Sequence, residues 1–395
     1  MKLLHISDCH LGGWRNEKIN EISFNAFKEA IDISIRNKVD GILITGDLFD
    51  VPLPSLKIII NTIKKLREAR KKGIKIYLIA GSHDISLSDF GAINLLEVSD
   101  IAKNVDFTKN EDINYFIDDD LFVIGISGKR KSKEIEDVKK LKEFLEKNKD
   151  KFMNKKKILL IHSAIEELTD LKIDRIKISE LPNYFDYYGF GHIHENKILK
   201  RDGKIFAYPG PTFPNNFDEM EKLKGGYALL VDLENKNIEI KRLNNYEIIS
   251  MKICADEKNP FYLTNEIIEK INDFDLKNKI LCLRIEGVLK EGSVGQIDFS
   301  KINDIVEKKG GILLRNTSKL HSKQFEVEKL DIKLESNLEK IEEDFFNKFK
   351  NKDLIKNLIF LLDKEKNEGE TNFIFEERLL KSIKNEEEKL INLLK

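Results

Sequence analysis

Cysteine is scarce in this 395-residue chain: Cys9, Cys254 and Cys282 are scattered and odd in number. That excludes a disulfide framework and places the chain in a reducing compartment. An excess of one charge is missing too. Lys and Arg total 68 against 69 Asp and Glu, a net charge of −1. No global field then draws the chain to nucleic acid or an acidic membrane, so a polyanionic substrate would have to be held locally, by a basic loop or by metal. No stretch reaches the ~18 apolar residues of a membrane span. The start, MKLLHISDCHLGG, has neither an uninterrupted apolar run nor a cleavage site. The expectation is a soluble, cytoplasmic protein. Glutamine is confined to Gln296 and Gln324, which fits an AT-rich genome or a warm habitat and does not choose between them.

What is present builds a core. Hydrophobic residues make up 41% and charged residues 35%, enough for two or three solvated domains at this length. Short apolar strands alternate with helical patterns through the first half. KLLHIS (2–7), DGILITGD (40–47), IKIYLIA (74–80), LFVIGIS (121–127), KILLIHS (157–163) and FDYYGFGHIH (185–194) read as strands. Between them, Ile22, Phe24, Phe27, Ala30, Ile31 and Ile33 keep helical spacing. Residues 54–71 form a helix with Pro54 at its start, and 133–149 a charged amphipathic one. This alternation predicts an α/β layered fold whose first part is a largely parallel sheet. From about 204, KIFAYPGPT, GGYALLVDL and NIEIKRL are closely spaced strands, an antiparallel addition closing a first domain at 245. Residues 246–330 read as a smaller α/β domain, with strands EIISMKICA and KILCLRIEGVL and helices near 262–273 and 298–309. Residues 331–371 are strongly charged and include NEGETN, a connection. In 372–395, Phe375, Leu379, Ile383, Leu390 or Ile391, and Leu394 lie along one helical face.

Five polar motifs end or follow these strands. They are Asp8 and His10 in SDCH, Asp47 and Asp50 in GDLFD, Ser82, His83 and Asp84 in GSHD, His162 in LLIH, and His192 and His194 in GHIH. Residues two apart in an extended chain point the same way, so Asp8 with His10 and His192 with His194 would each form a two-toothed pair. In an open α/β sheet the C-terminal strand ends share one edge, where ligands bind. The chain has seven histidines, and five fall in these motifs. His5, inside the first strand, reads as packed or hydrogen-bonded, and His321 as a surface residue. Imidazoles and carboxylates without thiolates suit Mn²⁺, Fe²⁺ or Zn²⁺ rather than a structural zinc site. A carboxylate such as Asp47 can bridge two ions, and two ions ~3.5–4 Å apart can clamp an in-line phosphoryl displacement.

D-x-H, G-D-x-x-D, the G-x-H-D of GSHD, a later H and G-H-x-H resemble the signature of calcineurin-like metallophosphoesterases. More narrowly, HISDCHLGG, GDLFDVPLPS and YPGPTFPNNFDE after GFGHIHE resemble the Mre-eleven (SbcD-type) nuclease family of DNA double-strand-break repair. The resemblance covers residues 1–245 and continues more loosely through LCLRIEG. It implies a layered metallophosphoesterase fold with central sheets flanked by helices, a smaller α/β capping domain and C-terminal helices. It also implies a manganese-dependent exonuclease and endonuclease with two Mn²⁺ per subunit. Asp8, His10 and His194 would hold the first ion, His162 and His192 the second, and Asp47 would bridge. His83 would orient the phosphate and protonate the leaving oxygen, held by Asp84. The family usually has Asn where this chain has Ser82, a poorer ligand for the second ion. A His in place of Asp50 would have offered a further phosphate contact.

Lys129, Arg130 and Lys131, in GKRKSK, are a solvated face or a phosphate contact. Asn215, Asn216 and Phe217 lie in a loop that resembles a family segment near the DNA path. The C-terminal stripe is core packing or, by resemblance, the docking helix for a Rad-fifty (SbcC-type) coiled-coil ATPase; a homodimer is implied likewise. Two other readings stay open: a phosphodiesterase or phosphatase for small molecules on the same fold, and a scaffold whose metal site has decayed at Ser82.

Overall fold

The computed structural model describes residues 1–85, 91–108, 114–129, 134–170, 175–243 and 246–322. In the C-terminal part it describes Lys352, Lys356, Ile359, Phe360, Phe375 and residues 378–382, all helical. The chain divides into two compact units, Met1–Phe325 and Glu326–Lys395. Of the C-terminal stripe, Phe375 and Leu379 are helical and half-buried; Ile383, Leu390, Ile391 and Leu394 lie outside the described residues, as does NEGETN.

The first unit opens with β1 (Lys2–Ile6), α1 (Glu17–Arg36), β2 (Gly41–Thr45), α2 (Leu56–Arg70), β3 (Lys75–Ile79), α3 (Ala92–Val98) and β4 (Lys103–Asn104). A second series follows: β5 (Phe116–Ile117), β6 (Leu121–Ile126), α4 (Glu134–Asn148), β7 (Lys156–His162), β8 (Tyr187–Gly191), β9 (Lys197–Arg201) and β10 (Lys204–Tyr208). Then come α5 (Phe217–Leu223), β11 (Gly226–Asp232) and β12 (Asn237–Leu243). The layered α/β fold with central sheets is present, and the largely parallel sheet read from the alternation resolves into two six-stranded mixed sheets, ordered β12-β11-β1-β2-β3-β4 and β5-β6-β7-β8-β10-β9. Each has a parallel centre. Antiparallel β11 and β12 extend the first, while β5 and β9 flank the second.

Strand periodicity makes the layers. In β1, Leu4 and Ile6 pack with Phe27 and Ile31 of α1, while Leu3 faces the other way. In β7, Leu159 and Ile161 pack with Val138 and Leu141 of α4. Between the sheets, Leu3, Leu43, Tyr77 and Ile79 of one meet Val123, Ile158, Leu160 and Tyr187 of the other. A strand buried on both faces reads as a continuous apolar run, so one sheet and two stacked sheets look alike in sequence. Within α1, Asn16 caps the start by accepting from the Ile19 amide, and Ile19, Ile22, Ala26, Phe27, Ala30 and Ile31 form its buried face.

The remaining elements of this unit are β13 (Glu247–Cys254), α6 (Pro260–Asn272), β14 (Lys279–Leu289), α7 (Phe299–Lys308) and β15 (Ile312–Ser322). The three strands form a parallel sheet in the order β13-β14-β15. Leu281, Leu283 and Ile285 pack on Ile267 of α6 and Ile302 of α7. On the opposite face, Ile248, Ile280, Cys282 and Ile312 join the core that contains α1 and Met220. β15 had no counterpart in the sequence reading. Its burial does not alternate strictly, so it carries little period-two signal.

Candidate metal centre

The strand-end motifs converge because parallel strands deliver their C-terminal ends to one edge. Asp8 and His10 follow β1, Asp47 follows β2, Ser82, His83 and Asp84 follow β3, His162 ends β7, and His192 and His194 follow β8. The convergence is not that of extended chain, as the spacing argument supposed. Asp8, His10, Asp47 and His192 all adopt left-handed backbone, with φ of 49°, 43°, 48° and 90°. Four non-glycine residues in that region store strain that surrounding bonds must hold. The Asp8 amide donates to Gly46 O (3.1 Å), the His10 amide to Asp47 O (3.0 Å), and the His192 amide to Asp8 Oδ1 (3.0 Å). Space is equally tight. A Cβ at Gly46 would stand 2.3 Å from His162 Nδ1, and one at Gly81 2.2 Å from Asp47 Oδ1.

Four imidazoles share one arrangement. His162 Nδ1 donates to Thr45 O (2.8 Å) and His83 Nδ1 to Asp50 O (2.8 Å); a carbonyl can only accept, so both protons are on Nδ1. His10 Nδ1 meets Asp50 Oδ1 (3.2 Å), and His194 Nδ1 meets Glu219 Oε1 (2.9 Å). In the His10, His162 and His194 rings this turns Nε2 to the centre. There His10 Nε2 and His194 Nε2 lie 3.2 Å apart, and Asp47 Oδ2 stands 3.2 Å from His162 Nε2 and 3.9 Å from His10 Nε2. Asp8, His10 and His194 form one ligand-sized cluster and Asp8, Asp47 and His162 another; His10, Asp50 and His83 form a third. Buried Asp8 Oδ2 and His162 Nε2 have no aligned hydrogen-bond partner. Buried polar atoms without partners, facing one another across opposite charge, fit divalent cations.

The electrostatics agree. Burial would raise the Asp47 carboxyl, but His162 and His10 hold it well below the usual carboxylate range. Burial would lower His162, yet Asp47 pushes it up to about 10. His194 is pushed up to about 8 against its burial, by its bond to Glu219 and by Asp8. A bound cation would stand where these protons sit. His192 is exposed and lies edge-on to His162, ring centroids 5.4 Å apart, outside the three clusters. The Ser82 backbone amide lies in the same turn, near Gly128, which also lies close to His162.

Asp84 does not hold His83. Its two oxygens accept from the backbone amides of Leu48 (3.1 Å), Phe49 (2.9 Å) and Gly81 (3.0 Å), joining the loops after β2 and β3. Burial and the neighbouring Asp47 push its carboxyl up to about 6 despite those donors. His83 is held instead by Asp50, and its amide donates to Asp47 Oδ1 (2.8 Å).

The positions assigned to DNA separate. Lys129 Nζ pairs with Asp137 at 2.5 Å, so its charge is already committed; Arg130 and Lys131 lie outside the described residues. The segment read as a loop turns helical at Phe217. Asn216 caps α5 by accepting from the Glu219 amide (2.9 Å), and Phe217 packs on the core. The Asn215 amide donates to Glu219 Oε2 (2.8 Å), and its side chain lies beside Asp50. Glu219 was missed by the sequence reading. Its signal was the N-x-x-E spacing of Asn216 and Glu219, which marks a helix start and not a metal site.

Residues 1–196 match the calcineurin-like phosphoesterase family model. Among curated proteins, the chain is 30% identical over 318 residues to the DNA double-strand break repair protein Mre11 of Sulfurisphaera tokodaii, covering 77% of this chain and 78% of that one. It is 30% identical to Mre11 of Methanocaldococcus jannaschii, over 69% of this chain and 73% of the other. Against Mre11 of Archaeoglobus fulgidus it is 25% identical over 98% of this chain and 87% of the relative. With its layered sheets and ring of Nδ1-anchored histidines around shared carboxylates, this chain belongs to the Mre11 family, on a calcineurin-like phosphoesterase fold.

Proposed function

We propose that this protein is a manganese-dependent DNA nuclease of double-strand-break repair, cutting as exonuclease and endonuclease. The observation that carries the reading is the common orientation of His10, His162 and His194, each tied at Nδ1 and presenting Nε2 to one small space lined by Asp8 and Asp47, with His83 tied at Nδ1 beside them. Asp8, His10 and His194 would hold one Mn²⁺ and His162 and His192 a second, with Asp47 between them and Ser82 at the edge. When bound, such ions supply charge neutralisation of the phosphate and activation of water. The chain's own residues do the rest. His83, fixed by Asp50 and half-exposed, presents Nε2 to the phosphodiester. As water oxygen bonds to phosphorus, releasing a proton to solvent, and the P–O ester bond breaks, His83 as imidazolium, protonated at both nitrogens, gives its Nε2 proton to the leaving oxygen. Asp84 keeps the loops of Asp47 and His83 in register.

The sheet of β13–β15 with α6 and α7 serves as the capping domain. A small-molecule esterase would have no need of it, which favours DNA as substrate. Residues 372–395 dock the Rad-fifty (SbcC-type) ATPase, and 331–371 connect to them. A homodimer is supported by exposed apolar residues on neighbouring elements: Leu53 (64% exposed), Leu56 (74%), Ile60, Leu95 and Val98 (86%). Cytoplasmic localisation is supported by three unpaired cysteines, and no described helix is long and apolar enough to cross a membrane.

The test compares cleavage of linear and circular single-stranded DNA and of a generic phosphodiester, with Mn²⁺ and with chelator. Manganese-dependent, chelator-sensitive DNA cleavage is expected. Hydrolysis of the small ester with no action on DNA would establish the small-molecule reading instead.

A further inference from the structure

The mechanism leaves unused a largely buried cation that touches the helix carrying Glu219. Arg284 lies on β14, in phase with Ile280 and Cys282 and so on the face turned toward the first core. Its guanidinium reaches α5. Nε donates to Glu221 Oε2 (2.8 Å), Nη2 donates to Glu221 and Asp218, and the plane lies 4.9 Å over the Phe217 ring. Only 13% of the side chain is exposed. A forked guanidinium with two carboxylates and a stacked ring is a geometrically specific clamp that lysine cannot reproduce. Beside it the register of β14 with β15 shifts between Arg284 and Glu286, with an extra residue on β15. Irregularities of this kind re-aim a side chain.

The clamped helix is the one that anchors the metal site. Asp218 and Glu221 are three apart and take the arginine, while Glu219 between them binds His194 Nδ1 and the Asn215 amide. Asn215 in turn lies beside Asp50, the anchor of His10 and His83. A seven-residue helix has little stability of its own, so its placement depends on its cap and on this clamp.

We propose that Arg284 is a positioning residue for the first metal site, acting from the third sheet through α5 and Glu219 on His194. The assignment rests on the reading of Asp8, His10 and His194 as metal ligands. It makes the seat of β14 against α5 a determinant of metal affinity, although no residue of that sheet is a ligand.

Calorimetric titration of the full-length protein with Mn²⁺ tests it. Arg284→Ala should weaken the first site about 5- to 10-fold, at or below the lower end of the roughly 10- to 100-fold cost of losing a direct outer partner of a metal ligand, because it acts one residue further out. Glu221→Gln should act in the same direction with less disturbance, and Arg284→Lys should recover only part of the loss. Lys252→Ala removes a cation of the same sheet that pairs with Glu286, and should leave the affinity unchanged. In a Glu219→Gln background, Arg284→Ala should add nothing, because the path is already cut. Unchanged affinity in both Arg284→Ala and Glu221→Gln, or a full additive loss in the Glu219→Gln background, would overturn the assignment. If the unsubstituted protein bound no Mn²⁺, the metal reading itself would fall.

Discussion

Lowering the pH should destabilise the fold through His5, a histidine that plays no part in metal binding. The ring is fully buried between the sheets, with Nδ1 2.8 Å from the Tyr187 hydroxyl and Nε2 2.8 Å from Thr45 Oγ1. Thr45 Oγ1 itself donates to Phe190 O (3.0 Å), so it accepts from Nε2–H, and Tyr187 donates to Nδ1. Both ring nitrogens are satisfied only when the imidazole is neutral. Burial pushes its pKa down to about 3 from an ordinary 6.5. The unfolded chain therefore binds the proton that the folded one refuses. The stability at stake is fully present above 6.5 and is lost as the pH falls toward 3. At about pH 5 the loss is roughly 2 kcal/mol, from 1.5 pH units at about 1.4 kcal/mol each. Urea unfolding of the unsubstituted protein and of His5→Gln measures it. The variant is weaker at neutral pH, and the gap between the two should shrink by about 2 kcal/mol at about pH 5. Selective ¹³C-histidine spectra give the direct check. A native His5 resonance titrating near 6.5 would refute the reasoning, since the ring would then reach solvent as a cation.

Other outcomes follow from the centre and its surroundings. Ser82→Asn should lower the manganese concentration needed for half-maximal cleavage by supplying an amide oxygen, a gain expected to exceed the ~1–3 kcal/mol of overpacking; two equally tight Mn²⁺ sites in the unsubstituted protein would show no deficit at Ser82. His83→Ala should keep metal and DNA binding while cleavage falls ~10²-fold or more, and loss of bound metal would make His83 a ligand instead. Asp84→Ala leaves three loop amides without their acceptor and should cost about 3 kcal/mol in urea unfolding; unchanged stability with unchanged cleavage would deny it the loop-joining role. Leu56→Glu, at the exposed apolar patch, should shift sedimentation from dimer to monomer with the metal site intact, and an unaltered dimer would place the interface elsewhere.

Much of this protein is local in its chain. Strands, helices and the motifs at strand ends show in hydrophobic period and in the short polar runs that stop it, so Asp8, His10, Asp47, His83, His162 and His194 could be found without coordinates. His5 could be set apart for the same reason: it sits inside an apolar run and not at its end. What tertiary structure decided depends on partners distant in sequence. Whether β1 and β7 share a sheet is invisible when both faces of each are apolar, and only the pairing assigns them to separate, stacked sheets. The left-handed backbone at Asp8, His10, Asp47 and His192 arises from bonds between loops, not from residue type. The resemblance implied Asp84 as the orienting carboxylate of His83, yet backbone amides of Leu48, Phe49 and Gly81 claim both its oxygens. The residues that do fix the imidazoles are Asp50, Glu219 and the Thr45 carbonyl. They lie 40, 25 and 117 positions from His10, His194 and His162, and an interaction across that separation leaves no periodic trace in a single sequence.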